Sequence, residues 1–415
     1  MATIDPEVRS SLLEQRYTDV REHTEDLAAP LSPEDQMVQS MPDVSPTKWH
    51  RGHTTWFFET FVLPRQNADY SPFHPAFGYI FNSYYEAIGS RHPRDQRGLI
   101  SRPGVGEVAD YRSHVDKAMA ELFDSRSDDQ TLSLVELGLH HEQQHQELLL
   151  MDIKHVLSCN PLLPEYRPSD EPFAAVSNRL GWAEHPGGQV EVGHTGFGFG
   201  FDNEFPRHRA LLTPFALADR LVTCGEWIEF MEDGGYSRPE LWLSDGWASV
   251  NQQGLDSPLY WSREDGGWRV FTLFGSRPVV ESEPVCHVSY YEADAYAHWT
   301  GLRLPTETEW EVIAAQIAPD LGGCSHLHPV PDDRVLGDLF GEVWQWTAGA
   351  YSPYPGFRAA PGAVGEYNGK FMVNQHVLRG GACVTPDGHT RATYRNFFHP
   401  GSRWAFSGLR LARDN

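Results

Sequence analysis

Residues 137–155 read LGLHHEQQHQELLLMDIKH, from Leu137 to His155. Wound as a helix, Leu134, Leu137, His141, His145 and Leu148 fall on one stripe at three- and four-residue intervals, and Glu142, Gln146 and Lys154 flank it. Two histidine rings therefore point inward one turn apart, a spacing that lets both bind a single metal ion. A helical first region that carries a metal site is the reading from which the rest follows.

Upstream the sequence keeps the same texture, with helices expected over Asp5 to Ala28, Pro46 to Val62, about Ala76 to Gly89, Val105 to Phe123 and Thr131 to Leu157. Ser45-Pro46 offers a hydroxyl cap followed by proline, after which Trp49, His53, Trp56, Phe57 and Thr60 recur at helical spacing. His53 is thereby placed on an aromatic, core-facing stripe. Downstream, NPLLPEYRPSDEP (Asn160 to Pro172) holds four prolines in thirteen residues, which can neither continue a helix nor join a central strand. Residues 1–160 are thus expected to form a helical domain, 161–172 a linker and 173–415 a second domain. That second domain shows short apolar runs broken by Gly, Pro and Asp, with helix-like stretches at Thr223 to Asp233 and Ser289 to Thr300. The fold class expected is α+β.

At 415 residues the chain exceeds what one core usually serves. A net charge of −24, spread along the chain, argues against electrostatic binding of nucleic acid or anionic lipid. The N-terminal residues lack a signal-like apolar run, and no stretch of 18 apolar residues occurs, so a cytoplasmic location is expected. The five cysteines (Cys159, Cys224, Cys286, Cys324 and Cys383) are widely spaced, without a C-x-x-C pair, which fits buried small hydrophobes better than disulfides or a thiolate site. Twenty His, 13 Trp, 16 Tyr and 22 Phe supply imidazoles and aromatic faces suited to a metal and a cationic ligand.

HEQQH also fits the H-E-x-x-H pattern of zinc proteases. Those enzymes take a third ligand from a defined downstream element, but here no H-x-x-G-x-x-H continuation exists and Glu165 sits in the proline-broken linker. His53 completes the set better. Three imidazoles leave three octahedral positions open on a ferrous ion, room for dioxygen and two substrates.

The HxxxHxE run at His141, His145 and Glu147, PTKWHRGHTTWFFE around His53, and the order of HPGGQVEVG, RLPTETEWE, GEVWQWT, VLRGGAC and FSGLRLAR resemble a hercynine oxygenase, the sulfoxide synthase of ergothioneine biosynthesis. The resemblance spans nearly the whole chain. It implies a DinB-like helical bundle followed by a formylglycine-generating-enzyme-like (C-type-lectin-like) domain. Formylglycine-generating enzymes use a cysteine pair after RGG, whereas Cys383 stands alone here, so the second domain is expected to bind substrate rather than to make formylglycine.

From the resemblance, His53, His141 and His145 are expected to hold Fe(2+), Gln144 to contact hercynine, and Glu147 to be structural or just outside the ligand set. The implied reaction joins the sulfur of a thiol to C2 of the hercynine ring with dioxygen, leaving a sulfoxide and water. Such coupling needs a proton donor near the metal, for which FNSYYEA offers Tyr84 and Tyr85, as in the branch of the family that uses free cysteine. Arg94 and Arg97 in HPRDQRG match an R-x-x-R that holds thiol-substrate carboxylates in relatives, and Asn396, Phe397 and Phe398 fall in the segment that lines the hercynine pocket. The γ-glutamylcysteine-using branch has an acidic residue where Phe398 stands, which favours cysteine. Alternative readings keep the scaffold and change a substrate: a selenosugar joined to hercynine toward selenoneine, or cysteine joined to histidine toward ovothiol. A metal-stabilised binding module without catalysis is a rival of another class.

Overall fold

In the computed structural model, which describes residues 6–67, 69–125, 127–168, 179–264, 266–317 and 326–415, the chain divides into two units, Met1–Arg167 and Pro168–Asn415. Cys324 and residues 169–178, which take in the end of the proline-rich linker and the first residues beyond it, lie outside the described residues.

The first unit is built on four long helices, α1 (Pro6–Ala28), α2 (Thr47–Phe57), α3 (Val105–Phe123) and α4 (Asp129–Ser158). α4 starts where Asp128 accepts the Thr131 N–H at 2.7 Å, a side-chain cap that satisfies one of the free amides of the first turn. α2 runs on through one π-helical turn, Phe58–Val62, and a last α turn, Leu63–Gln66. The π turn carries Glu59, whose carboxylate accepts from the Tyr70 and Tyr111 hydroxyls at 3.1 and 2.6 Å. At the end of the unit the Tyr166 hydroxyl and the Arg167 guanidinium donate to the carbonyls of Leu27 and Asp26 at the end of α1.

Three local expectations are corrected. Ser45 is not the cap of α2: Pro46 holds that position without a side-chain bond, and the Ser45 hydroxyl instead accepts from Arg97 Nη1 at 2.8 Å. The helix expected near 76–89 shrinks to one turn, Phe77–Ile80. Beyond it the Asn82 side chain accepts the Tyr85 N–H and donates to the Tyr85 and Gly89 carbonyls, local bonds that compete with a helical ladder. Finally, the polar flank of α4 is buried, with Glu142, Gln146 and Lys154 at most 1% exposed, while Leu134, Leu137 and Leu148 are only half-buried.

That buried flank is a network of charges. Glu142 accepts from Arg21 Nη1 and Arg112 Nη2, each at 3.0 Å, and from the Thr24 hydroxyl at 2.7 Å. Arg21 also reaches Asp116 at 2.8 Å and Thr55 at 3.1 Å, so one carboxylate of α4 ties together α1, α2 and α3. Although burial alone would raise it, the two guanidinium groups hold the Glu142 carboxyl down at about 2.

The second unit is α+β. Its described strands form sheets β1-β4-β12, β2-β3, β5-β6-β7 and β10-β9-β8-β11, where β1 to β12 are Trp182–His185, Gly188–Val192, His208–Leu212, Phe215–Ala218, Trp261–Glu264, Gly267–Thr272, Gly275–Pro278, Trp344–Ala350, His376–Arg379, Asn396–Phe398, Ser407–Gly408 and Ala412–Asp414. The core gathers Val192, Phe215, Leu217, Trp310 and Leu339. Both helices read from the sequence are present, as Cys224–Glu232 and Tyr290–Trp299, begun by the capping boxes Thr223/Glu226 and Ser289/Glu292. Two more were missed. Ser244–Gln253 buries only Gly246 and Val250 and so has a faint period, whereas Glu307–Ala314 was announced by the Thr306/Glu309 box inside RLPTETEWE. In VLRGGAC, Gly380 has φ +105°, and a Cβ there would lie 2.6 Å from Gln345 Nε2 and 2.7 Å from the Leu339 carbonyl. Cys224, Cys286 and Cys383 are buried and Cys159 is exposed. No helix among the described residues is long and apolar enough to cross a membrane.

Glu342, in GEVWQWT, accepts the Val330 N–H at 2.7 Å. Burial pushes its carboxyl up from the ordinary 4.5 to about 8, the Val330 N–H opposing the shift while Asp338 and Asp332 add to it. Below the unfolded value both states hold the proton; between there and about 8 the unfolded chain loses a proton that the folded chain keeps, so stability falls as pH rises. Glu342→Gln should abolish this slope. Denaturation of the two proteins from pH 5 to 8 should show the variant gaining by up to about 1.4 kcal/mol per pH unit; parallel curves would refute it.

Candidate metal centre

His53 comes from α2, and His141 and His145 come from successive turns of α4. Ligand atoms of the three rings lie within 4.8 Å of one another, with His53 Nε2 and His141 Nε2 3.1 Å apart. Among the described residues, this is the cluster of metal-ligating side chains that the fold assembles. His53 and His141 are buried and His145 is partly so. The rings are held in place from outside. His53 Nδ1 donates to the Phe81 carbonyl at 2.6 Å, which turns its Nε2 lone pair toward the other rings. Phe81 can approach because residue 52 is glycine: a Cβ at Gly52 would overlap the Phe81 ring. His53 is stacked on Trp49, with centroids 4.6 Å apart and planes 12° from parallel, and on Trp56, at 5.6 Å and 17°. The stripe read from PTKWHRGHTTWFFE therefore packs around the site, although the whole of Thr47–Glu59 is buried rather than one face of it.

Burial pushes the pKa of all three histidines down, His141 to about 3, and neighbouring imidazoles lower His53 and His145 further. Neutral rings present lone pairs, as metal ligation requires. The donor set fits a divalent transition ion: three imidazoles, drawn from two rigid helices and converging without a carboxylate among them. Glu142, which would be the base of a zinc protease, has both oxygens engaged by Arg21, Arg112 and Thr24. Zinc-protease chemistry therefore lacks its base as well as its downstream ligand.

The other residues singled out in the first unit divide. Tyr85 is fully buried, with its ring 5.6 Å from Trp56 and 5.0 Å from Phe61, and is thus joined to His53 through one intervening indole. Tyr84 stacks on it at 4.6 Å with the hydroxyl oxygens 3.5 Å apart. Arg97 is 2% exposed and lies over the Trp49 ring at 3.3 Å, donating to the Ser45 and Ser83 hydroxyls. Among the described residues no carboxylate lies within ion-pair distance of it, and burial, aided by Arg94 and opposed by the more distant Asp152, holds its pKa well below the usual arginine value. Arg94 by contrast is exposed and donates to the Asp43 carbonyl at 2.6 Å. Gln144 is half-buried, one residue before His145. Glu147 is 6% exposed.

Asn396, Phe397 and Phe398 belong to the second unit, where they form β10 and pair with Leu378, Val377 and His376 of β9. Phe397 stacks on Tyr351 at 4.2 Å and Phe398 meets Trp404 edge-on at 5.6 Å. All three are partly exposed.

Sequence reasoning passed over His50 and Asp152. His50 Nδ1 lies 2.8 Å from His145 Nδ1, and His50 Nε2 lies 3.0 Å from Asp152 Oδ2. Their spacing held a signal: His50 precedes His53 by three residues and Asp152 follows His145 by seven, each on the face of a ligand.

Residues 183–325 and 331–415 match the family described as sulfatase-modifying factor enzyme 1-like domain. Over 414 residues the chain is 30% identical to a hercynine oxygenase of Mycolicibacterium smegmatis, covering 91% of this chain and 92% of that protein. It is 29% identical over 402 residues to a hercynine oxygenase of Mycobacterium tuberculosis, covering 90% and 92%. Over 237 residues it is 26% identical to ergothioneine biosynthesis protein 1 of Schizosaccharomyces pombe, covering 52% of this chain and 28% of that one.

Proposed function

We propose that this chain, which belongs to the hercynine oxygenase family of ergothioneine-forming enzymes, holds one ferrous ion on His53, His141 and His145 and joins the sulfur of cysteine to C2 of hercynine. Dioxygen supplies the sulfoxide oxygen, and its second atom leaves as water with one hydrogen from the thiol and one from C2. The observation that carries the reading is the convergence of three neutral imidazoles from α2 and α4 in a chain of that family. The ion, when bound, supplies dioxygen activation and coordination sites for the two substrates.

What the protein contributes is orientation, charge and protons. Arg97, a buried guanidinium without a carboxylate partner among the described residues, suits the cysteine carboxylate, with Arg94 assisting. Asn396, Phe397 and Phe398 suit hercynine, aromatic faces meeting its trimethylammonium group and the amide its polar atoms, and Gln144 contacts its ring. Phe398 has no carboxylate to pair with the amine of a γ-glutamyl group, which favours free cysteine. Tyr84 and Tyr85 supply the proton that steers the reaction from thiol oxidation to coupling; with their oxygens 3.5 Å apart, either can reprotonate the other.

Two experiments test this. Iron-loaded protein given hercynine, cysteine and dioxygen should yield hercynylcysteine sulfoxide by mass spectrometry; product only with γ-glutamylcysteine, with a selenosugar, or with histidine in place of hercynine would overturn the substrate assignment. Tyr84→Phe or Tyr85→Phe should shift product from coupling toward cysteine sulfinic acid by roughly 100-fold or more, the usual loss with a general acid. An unchanged ratio in both would remove the phenols from the mechanism.

A further inference from the structure

We infer that His50 and Asp152 are positioning residues of the metal centre, forming with His145 a hydrogen-bonded chain whose proton order leaves His145 Nε2 bare for the ion. The inference rests on the three-histidine reading above and goes one layer outward from it.

The order follows from counting hydrogens. Asp152 Oδ2 accepts the Ser45 backbone N–H at 2.7 Å and lies 3.0 Å from His50 Nε2. Asp152 and His50 are each 3% exposed, so their hydrogen bonds must be met within the protein. A carboxylate can only accept, which puts the His50 hydrogen on Nε2. With that hydrogen placed, Nδ1 of a neutral His50 ring is an acceptor, and the 2.8 Å contact to His145 Nδ1 requires His145 to donate. His145 then has no hydrogen on Nε2. The reverse polarity would place a hydrogen on Nε2 and abolish ligation.

The chain crosses between helices. His50 stands one turn before His53 on α2, and Asp152 stands two turns after His145 on α4, so α2 lends the middle member of the chain and α4 lends both its ends, the ligand His145 and the carboxylate Asp152. His53 achieves the same end more simply, through the Phe81 carbonyl. Outer partners of this kind commonly change metal affinity by about 10–100-fold.

The test uses the full chain and Co(II), whose visible spectrum reports ligand geometry, together with Fe(II) competition against a chelator. His50→Phe keeps a ring of similar size and removes both nitrogens. It should weaken metal binding by roughly 10–100-fold and change the Co(II) spectrum. His50→Asn places an amide oxygen where Nδ1 was and should recover most of the affinity. Asp152→Ala should lose affinity by a similar factor, and adding it to His50→Phe should cost nothing further. Melting of the metal-free proteins separates these effects from folding. The relay is overturned by unchanged affinity in His50→Phe or Asp152→Ala, by equal losses in His50→Phe and His50→Asn, or by additive losses in the double variant. Wild-type protein that binds no Co(II) would instead overturn the metal centre, and the relay with it.

Discussion

Alanine at His53, His141 or His145 is expected to abolish stoichiometric ferrous binding, and turnover with it, while the metal-free protein keeps its fold. Each ring supplies one of only three nitrogens, and the described residues place no further carboxylate, thiolate or imidazole in the cluster to take over. Two imidazoles alone are a weak site for a ferrous ion that must also admit dioxygen and two substrates. Folding is insulated from the loss because the bundle is held elsewhere, by the Glu142 network and by a core that includes Val115, Met119, Val135 and Leu139. Iron per chain after anaerobic loading, with circular dichroism on the same samples, reads both halves. Full occupancy in any one variant would remove that residue from the ligand set.

Glu142, one residue from His141, should behave in the opposite way. Glu142→Ala removes from Arg21 and Arg112, 4% and 3% exposed, their one fully buried carboxylate and leaves each with a single, partly exposed partner, Asp116 and Glu25. Breaking a buried ion pair from one side typically costs about 3–5 kcal/mol, because the remaining charge stays desolvated, and the carboxylates that remain hold the expected loss to the lower end of that range. Glu142→Gln keeps two acceptor lone pairs and should cost less. Chemical denaturation of the metal-free proteins measures this, and the fraction that stays folded should still bind iron. A Glu142→Ala protein as stable as wild type would show that the network adds nothing net. Loss of iron with stability unchanged would place Glu142 at the metal instead.

HEQQH thus presents two different environments on one helix, imidazoles that converge with His53 and a carboxylate buried among arginines. The sequence made the first legible: histidines one turn apart, with His53 on an aromatic stripe, are patterns that helix periodicity exposes. It hid the second. Glu142, Gln146 and Lys154 read only as polar residues flanking the stripe, because hydropathy cannot distinguish a charge in water from one paired in the interior, and the partners Arg21, Thr24 and Arg112 are far away in sequence. For the same reason His50 and Asp152 escaped notice, since a hydrogen-bond relay between helices depends on their packing rather than on either helix's period. The short helix after Ala76 failed for a local reason, the Asn82 side chain offering the backbone bonds that a helix would have made. In the second unit, turn and cap chemistry such as Thr306/Glu309 and Gly380 was written plainly, whereas strand order was not.

The most direct measurement is anomalous diffraction at the iron edge from crystals of the ferrous-loaded protein. One strong peak per chain is expected at ligand distance from a ring nitrogen of each of His53, His141 and His145, with His145 bound through Nε2. A peak at other residues, or none in protein shown to turn over, would contradict it.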